Sequence, residues 1–157
     1  MSGSTDAPQN PSPQLQAFLR WADAMTVKQD PVALAASVTE DFQYQSLPKS
    51  IGLPARDKAS FVEYASSLMA MMSDFKSDIH EVIETDDTIT VHASGQATSI
   101  TGALYANEYI IIVHVAKQAD GEYKLSSMKE FVDSKGMTEF MAAETKRQQE
   151  RAAQAAA

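Results

Sequence analysis

A change of sequence period near residue 75 restricts the possible folds more than any other feature of the chain. Before it, apolar residues recur at the spacing of an amphipathic helix in three segments. After it, four segments in which apolar and polar residues alternate follow one another, separated by short turns. Helices that come first and strands that then follow in a run predict an α+β architecture, in which helices cover one face of an antiparallel sheet.

The three helical segments carry recognisable start signals. The first opens at Pro13, and Pro31–Val38 is predicted as a short second helix, because the preceding aspartate caps it and proline suits its first turn. An early strand is predicted over Glu40–Ser46, followed by a loop with two prolines. Asp57 then caps the third helix.

Four strands are predicted after the helices. They cover Phe75–Glu84, Thr88–Ile100, Leu104–Val115 and Tyr123–Asp133. Gly95 interrupts the second of these strands, where a glycine favours a bend or bulge. A bent sheet that wraps around helices makes a cone with a cavity at its open mouth. We therefore expect a cone-shaped curved antiparallel sheet wrapped around the N-terminal helices, an α+β barrel.

A length of 157 residues suits one domain. Residues 1–12 are rich in serine, proline, asparagine and glutamine, and are predicted to be a disordered tail. The single folded domain is expected over residues 13–140. Residues 141–157 become polar and alanine-rich, and are expected to form a C-terminal helical extension.

Charge and missing residue types argue against several classes of protein. A net charge of −8 without a basic run argues against a nucleic-acid partner. No apolar segment approaches the roughly 20 residues that cross a membrane, and the N-terminus lacks a signal-peptide pattern, so a cytoplasmic protein is expected. The chain has no cysteine, and His80, His92 and His114 show no metal-site spacing, so no metal is expected. No phosphate loop or dinucleotide fingerprint is present, so no cofactor is expected.

The stretch LYANEYIIIVHV, which forms the third predicted strand, has hydrogen-bonding side chains in its first half. Alternation puts Tyr105, Asn107 and Tyr109 on one face, which we assign to the interior of the cone. The opposite face carries Ile110 and Ile112. Because a contiguous aliphatic sheet face is rarely left in water, a homodimer across that outer face is expected.

Glu130 is the candidate for proton transfer. A carboxyl group in an apolar pocket has a raised pKa, which suits a general acid or base near neutral pH. Tyr105 and Tyr109 would donate to a developing oxyanion, and Asn107 could take either role by hydrogen bonding. These four residues form the candidate catalytic group. Further candidates for lining the ligand pocket are Trp21, Met25, Tyr44, Ser46, Tyr64, Met69 and Met128.

Each of these residues also has a purely structural explanation. Buried tyrosines commonly satisfy their hydroxyl groups inside a core, and tryptophan or methionine at helical spacing is ordinary core. Glu130 could pair with Lys124 or Lys129 at a sheet edge. Taken singly, each residue is explained slightly better by structure. Taken together, polar groups that converge from several strands favour a ligand pocket.

Two segments resemble the SnoaL-like group of the nuclear transport factor two-like superfamily. They are RWADAMTVKQDPVALAASVTEDFQYQS and, after GALYA, NEYIIIVHV with the following DGEYKLSSMKEFVDS. The likeness spans roughly residues 15–140 and implies a cystatin-like cone. It implies no particular reaction, since this superfamily includes polyketide cyclases, ketosteroid isomerase, scytalone dehydratase, fungal isomerases and non-catalytic binders.

The resemblance also implies roles by position. The first-helix tyrosine of the steroid isomerase falls near Trp21, its base aspartate near Ser46, and its protonated aspartate near Asn107. The missing base argues against steroid-type isomerisation by that residue. Glu130 is a carboxylate at a position where the steroid isomerase has an apolar residue. Together with Tyr105 and Tyr109, it gives this chain a resemblance to the fungal isomerases and semipinacolases.

Three functions remain open. The first is a small cofactor-independent enzyme of secondary metabolism, which binds a hydrophobic polycyclic or polyketide-like molecule in the cone. It would catalyse isomerisation, cyclisation or dehydration by acid–base chemistry. The second is a non-catalytic small-molecule binder or stress-associated protein with the same pocket. The third is a scaffold whose outer sheet face binds another protein. The sequence favours the first and leaves open whether turnover occurs.

Overall fold

The helices begin where the capping residues predict. The computed structural model describes residues 10–157; α1 spans Pro13–Thr26, α2 Pro31–Ala36 and α3 Lys58–Met71. The side chain of Asp30 accepts hydrogen bonds from the amides of Val32 and Ala33, and that of Asp57 accepts one from the amide of Ser60. Each aspartate satisfies backbone donors that a helix start leaves unpaired, which fixes where α2 and α3 begin.

Within residues 10–157, six strands form one open sheet. They are β1 (Val38–Leu47), β2 (Arg56–Asp57), β3 (Met72–Glu84), β4 (Thr88–Ser99), β5 (Leu104–Lys117) and β6 (Tyr123–Val132). Their order across the sheet is β2-β1-β6-β5-β4-β3. Strands β3 to β6 form the predicted antiparallel meander, whereas β1 runs parallel to β6. The α+β class is confirmed, but the sheet is mixed and unclosed, because no hairpin turn fixes the direction of β1 against β6.

Some element boundaries differ from those predicted. Val38 pairs with Leu125 at the start of β1 instead of ending α2. Met72 pairs with Ser99 at the start of β3, so this strand begins three residues before the predicted start at Phe75. The predicted loop contains a short 3-10 turn at Lys49–Ile51 and the two-residue strand β2. Pairing with strands that are distant in sequence overrides the local helical spacing in the first two cases.

Gly95 gives the ring of Tyr109 room to approach the sheet. The bend predicted at this glycine is found instead as register shifts in the facing strand β3, while Gly95 itself stays paired with Asn107 on β5. A Cβ atom at Gly95 would lie 3.3 Å from Cε2 of Tyr109. The missing side chain therefore positions a candidate site residue.

The hydrophobic core lies where the inner face of the sheet meets the first three helices. Burial of each large apolar side chain contributes about 1.5–3 kcal/mol. The rings of Phe42 and Phe61 pack 5.2 Å apart where α3 crosses β1. The largest apolar side chains that are fully buried are Leu15, Leu34, Val38, Phe42, Ile89, Val91, Val113, Leu125 and Met128.

The last helix, α4, spans Ser134–Ala155 and docks on the turn between β4 and β5. Glu144 is only 1% exposed, and its Oε2 accepts hydrogen bonds of 2.7 Å from Oγ1 of Thr101 and from Nη2 of Arg147. Arg151 donates to backbone carbonyl groups of the same turn. Residues 141–157, predicted as a C-terminal helical extension, belong to a helix that starts at Ser134, and Glu144 and Arg151 bond it to the turn.

Other predictions concern what the chain lacks. Within residues 10–157, no helix is long and apolar enough to cross a membrane. The same part of the chain contains no cluster of three or more histidine, aspartate or glutamate side chains arranged to hold a metal ion. The predicted disordered tail falls mostly on residues 1–9, which lie outside the described residues.

Candidate active site

A carboxylate and four tyrosines come together on the inner face of the sheet. Tyr44 lies on β1, Tyr105 and Tyr109 on β5, Glu130 on β6, and Tyr64 on α3. The three strand tyrosines and Glu130 point to one side because alternate residues of a strand share a face. The rings of Tyr44 and Tyr64 lie 6.2 Å apart, which brings the helix residue to the same cluster. We call these five residues the tyrosine–glutamate cluster.

One oxygen of Glu130 accepts a hydrogen bond from the described chain, and the other accepts none from it. The hydroxyl of Tyr44 donates a 2.6 Å hydrogen bond to Oε2 of Glu130, and Oγ of Ser46 donates to the Tyr44 oxygen at 3.0 Å. Oε1 accepts no hydrogen bond from residues 10–157, and neither Lys124 nor Lys129 forms the ion pair that the structural alternative proposed. Glu130 as a residue is half-buried.

Burial raises the pKa of Glu130 above that of an ordinary carboxyl group, and the hydrogen bond from Tyr44 acts in the opposite direction. The direction follows from desolvation, which disfavours the charged form. A carboxyl group with a raised pKa can exchange a proton nearer neutral pH than a solvated glutamate can. Such a group suits either general acid or general base catalysis.

The tyrosines are set up to donate hydrogen bonds. The hydroxyl oxygens of Tyr105 and Tyr109 lie 3.3 Å apart. Burial raises the pKa of Tyr44, Tyr105 and Tyr109, and raises the pKa of Tyr64 to about 12. All four hydroxyl groups therefore stay protonated at neutral pH. A protonated phenol can donate to an oxygen on which negative charge develops.

Asn107 has a structural task that the sequence did not show. Its Nδ2 donates to the backbone carbonyl of Asp133 at 3.1 Å, and its Oδ1 accepts from the Asp133 amide at 2.9 Å. These two bonds tie β5 to the junction between β6 and α4. The predicted catalytic role of Asn107 stays a prediction, and only one amide hydrogen is left for it.

The remaining predicted lining residues pack with the core. Met128 is 1% exposed, and Met25 and Met69 lie partly buried against the core cluster. Trp21 stacks on Phe18, with ring centroids 5.7 Å apart, and is 7% exposed. Its Nε1 is buried without a hydrogen-bond partner in the described chain, which is unusual for a native core.

Sequence reasoning missed two residues that border the cluster. Arg56 pairs with Tyr44 across β1 and β2, and its guanidinium carbon lies 3.9 Å from the ring centroid of Tyr64. Phe140 on α4 meets Tyr105 edge to face, with centroids 4.9 Å apart. Neither residue stands in a motif. Their positions depend on the register of a two-residue strand and on the docking of a helix, which local patterns do not reveal.

The predicted hollow at the mouth of the cone stays a prediction. Two depressions in the described surface, of about 450 and 470 Å³, lie on α1 and where α2 and α3 meet β1 and β2. Neither is lined by the tyrosine–glutamate cluster.

An open curved sheet that wraps around helices and carries polar groups on its inner face defines the nuclear transport factor two-like class of fold. Within this class the chain belongs to the SnoaL-like domain family, whose model matches residues 18–124. This finding confirms the predicted resemblance over most of the folded chain.

Individual relatives fit the same family. A protein named "Monooxygenase" from Claviceps purpurea (strain 20.1) is 32% identical over 107 residues, which cover 67% of this chain and 66% of that protein. The match thus spans just under two thirds of that relative. BvnE pinacolase from Penicillium brevicompactum superposes with a TM-score of 0.68 at 22% identity, covering 88% of this chain and 94% of BvnE. TerC, co-crystallised with polyporic acid, superposes with a TM-score of 0.66 at 18% identity, covering 82% and 97% of the two chains. At these identities the two structures support the fold alone.

Proposed function

We propose that this protein is a cofactor-independent enzyme of secondary metabolism that acts on a hydrophobic polycyclic or polyketide-like molecule. The reaction is an isomerisation, cyclisation or dehydration that depends on proton transfer. The family and the fungal origin of its relatives support the coarser conclusion, an enzyme that processes small molecules.

The observation that carries the proposal is the asymmetry of the Glu130 carboxyl group. Tyr44 fixes Oε2, while Oε1 is unoccupied by any described residue. In the proposed step, Oε1 takes a proton from a carbon or oxygen of the bound substrate, and the new carboxylic acid can return it elsewhere. Tyr105 and Tyr109 donate to the substrate oxygen that gains charge in that step.

The names of the relatives suggest how such a step could be used. A pinacolase moves a carbon–carbon bond next to an oxygen, a rearrangement that proton transfer can start and finish, and TerC was co-crystallised with a small molecule, polyporic acid. The name of the Claviceps relative favours a second candidate reaction, in which O₂ oxidises a substrate CH₂ group to C=O and its other oxygen atom leaves as water. Deprotonation of the substrate by Glu130 would precede either outcome.

Substitution of the carboxyl group tests the proposal. Wild-type protein and Glu130→Gln are incubated with a panel of hydroxylated anthrones and xanthones, with product detection by mass spectrometry and oxygen uptake recorded in parallel. We expect conversion by the wild type and a loss of at least about 100-fold in the variant, with ligand binding retained. Glu63→Gln changes an exposed glutamate of α3 and is the matched control. Binding without conversion by the wild type would support the non-catalytic alternative, whereas oxygen uptake would support the second candidate reaction.

We also propose that two copies associate across the outer face of the sheet. Ile110 and Phe131 pair across β5 and β6 and are 41% and 48% exposed, with Ile112 beside them. A contiguous apolar patch on an otherwise charged surface favours burial against a second copy. The third possibility, a different protein on this face, would show as a monomer in solution.

A further inference from the structure

We propose that Arg56 forms a subsite for an ionised acidic group of the ligand, such as a carboxylate or an acidic phenol. The ligand would then be a planar polycyclic acid, with its charged end at Arg56 and its reacting end at Glu130. The inference rests on the proposed function, because it assigns a substrate class to the same site.

The strand register directs Arg56 toward the cluster. Arg56 on β2 is the cross-strand partner of Tyr44 on β1, and partners in a register project to the same face of a sheet. Tyr44 in turn binds Glu130. The two-residue strand β2 therefore places a cation at the edge of the same inner face that holds the carboxyl group.

The guanidinium of Arg56 is positioned but not neutralised. It lies 3.9 Å over the ring of Tyr64, and Nη1 donates to the backbone carbonyl of Pro54 at 3.1 Å. No carboxylate of residues 10–157 forms an ion pair with it, whereas Arg20 and Arg147 both have glutamate partners. Stacking on an aromatic ring holds the guanidinium plane and leaves edge N–H groups available for an anion.

The local charges around Arg56 favour an anion, although the charge of the whole chain does not. The chain as a whole carries a net charge of −8, so its long-range field does not attract anions. Glu130 acts to raise the pKa of Tyr64 and Arg56 acts to lower it, so both groups lie within electrostatic reach of the same phenol. Glu130 itself, with its raised pKa, repels a nearby anion less than an ordinary glutamate would. A carboxylate can pair with guanidinium through two parallel hydrogen bonds, so binding and orientation would come together.

Two probes of equal shape test the subsite. Anthraquinone-2-carboxylate and the neutral anthraquinone-2-carboxamide are titrated into wild-type protein by calorimetry at pH 7 and low salt. We expect the carboxylate to bind about tenfold more tightly than the carboxamide, as one charge-assisted pair would give. In Arg56→Gln the ratio should fall to about one through loss of carboxylate affinity, with carboxamide affinity unchanged, and Arg56→Lys should give an intermediate ratio. Arg20→Gln removes the same charge from the exposed side of α1 and should keep the wild-type ratio.

The possible failures are distinguishable. If both probes bind the wild type equally, or if the preference survives in Arg56→Gln, the subsite assignment is wrong while the proposed pocket stands. If neither probe binds the wild type, the subsite and the proposed pocket both fail. Circular dichroism of each variant shows whether the fold is kept, and Arg56→Lys retains a charged side chain over Tyr64 if the glutamine variant unfolds.

Discussion

The hydroxyl group of Tyr44 lies 2.6 Å from Oε2 of Glu130, although the two residues are 86 positions apart in the chain. The bond crosses the parallel pair β1–β6, in which Ser46 stands opposite Glu130. Ser46 donates to the Tyr44 oxygen, so a short relay of hydroxyl groups ends on the carboxyl group. The protonation state of Glu130 therefore depends on a phenol that is itself almost completely buried.

Tyr44→Phe should shift the pH dependence of activity. The hydrogen bond from Tyr44 lowers the pKa of Glu130, so its removal should raise that pKa further. If Glu130 acts as a base, the acidic limb of the pH–rate profile should move to higher pH, with kcat reduced at neutral pH and KM little changed. The phenylalanine ring can still pack against Phe61, 4.8 Å away. If the acidic limb lies at the same pH in Tyr44→Phe as in the wild type, Tyr44 does not affect the pKa of the group that limits the rate.

Stability should decrease with pH in the range where Glu130 ionises. Its pKa is raised in the folded chain above the ordinary value of 4.5, so the folded state binds more protons than the unfolded state between the two values. The contribution of Glu130 to the free energy of unfolding is fully present below pH 4.5 and is lost as pH rises through the folded-state pKa. Denaturant unfolding of the wild type and Glu130→Gln across pH 4 to 8 measures it. The difference between the two proteins should change with pH in that direction, and a constant difference would contradict the raised pKa.

Glu144→Gln should loosen α4. Burial acts to raise the pKa of Glu144, but the hydrogen bonds from Thr101, Arg147 and Gln148 outweigh it and lower the pKa to about 2. This stabilisation is fully present above the ordinary carboxyl pKa of 4.5 and is lost as pH falls from there through the folded-state pKa of about 2. We expect the substitution to cost about 1–3 kcal/mol at pH 7 and much less at pH 2.

Hydrogen exchange of α4 amides gives the local readout for that substitution. Exchange in the α4 segment should accelerate in Glu144→Gln at pH 7, while β4 and β5 keep their protection. Glu150→Gln, at an exposed glutamate of the same helix, is the matched control. Equal exchange in both variants would show that Glu144 does not fasten the helix.

Asn107→Ala should destabilise the junction between β6 and α4 more than it reduces catalysis. The variant loses both hydrogen bonds to the backbone of Asp133. We expect a loss of about 1–3 kcal/mol in the free energy of unfolding, and faster exchange of the Asp133 amide. Turnover per folded molecule should fall less than tenfold. A fall as large as that of Glu130→Gln in a stably folded variant would instead support the catalytic role predicted for Asn107.

Ile110→Glu should dissociate the proposed dimer. The substitution places a charge in the apolar patch formed with Phe131, where a second copy would bury it unpaired. Light scattering coupled to size exclusion should report a dimer for the wild type and a monomer for the variant. Val32→Glu changes an equally hydrophobic but 79% exposed residue of α2 and should remain dimeric. A monomeric wild type would refute the proposed association.

The sequence predicted those features that depend on local pattern. The caps at Asp30 and Asp57 and the alternation along β5 are encoded within a few residues, so helix starts and inward-facing tyrosines could be read directly. The parallel pairing of β1 with β6 could not be predicted from the sequence, because the two strands are distant in the chain and no turn connects them.

The candidate site shows the same division. Glu130 could be recognised as an inward carboxyl group next to predicted tyrosines. Its partner could not be identified, because the bond to Tyr44 depends on that long-range pairing. Arg56 and Phe140 reach the cluster only through the docking of β2 and α4, so no local pattern marks them.

The place of β6 between β1 and β5 has a consequence for synthesis on the ribosome. A nascent chain that has emerged only as far as β5 can pair β3, β4 and β5 with one another. Strands β1 and β2 still lack β6, which connects them to the rest of the sheet. The hydrogen-bond relay from Ser46 to Glu130 cannot form at that stage, because Glu130 has not yet been synthesised. The tyrosine–glutamate cluster is thus completed only after β6 has been translated, and a chain truncated before β6 would contain the tyrosines without Glu130.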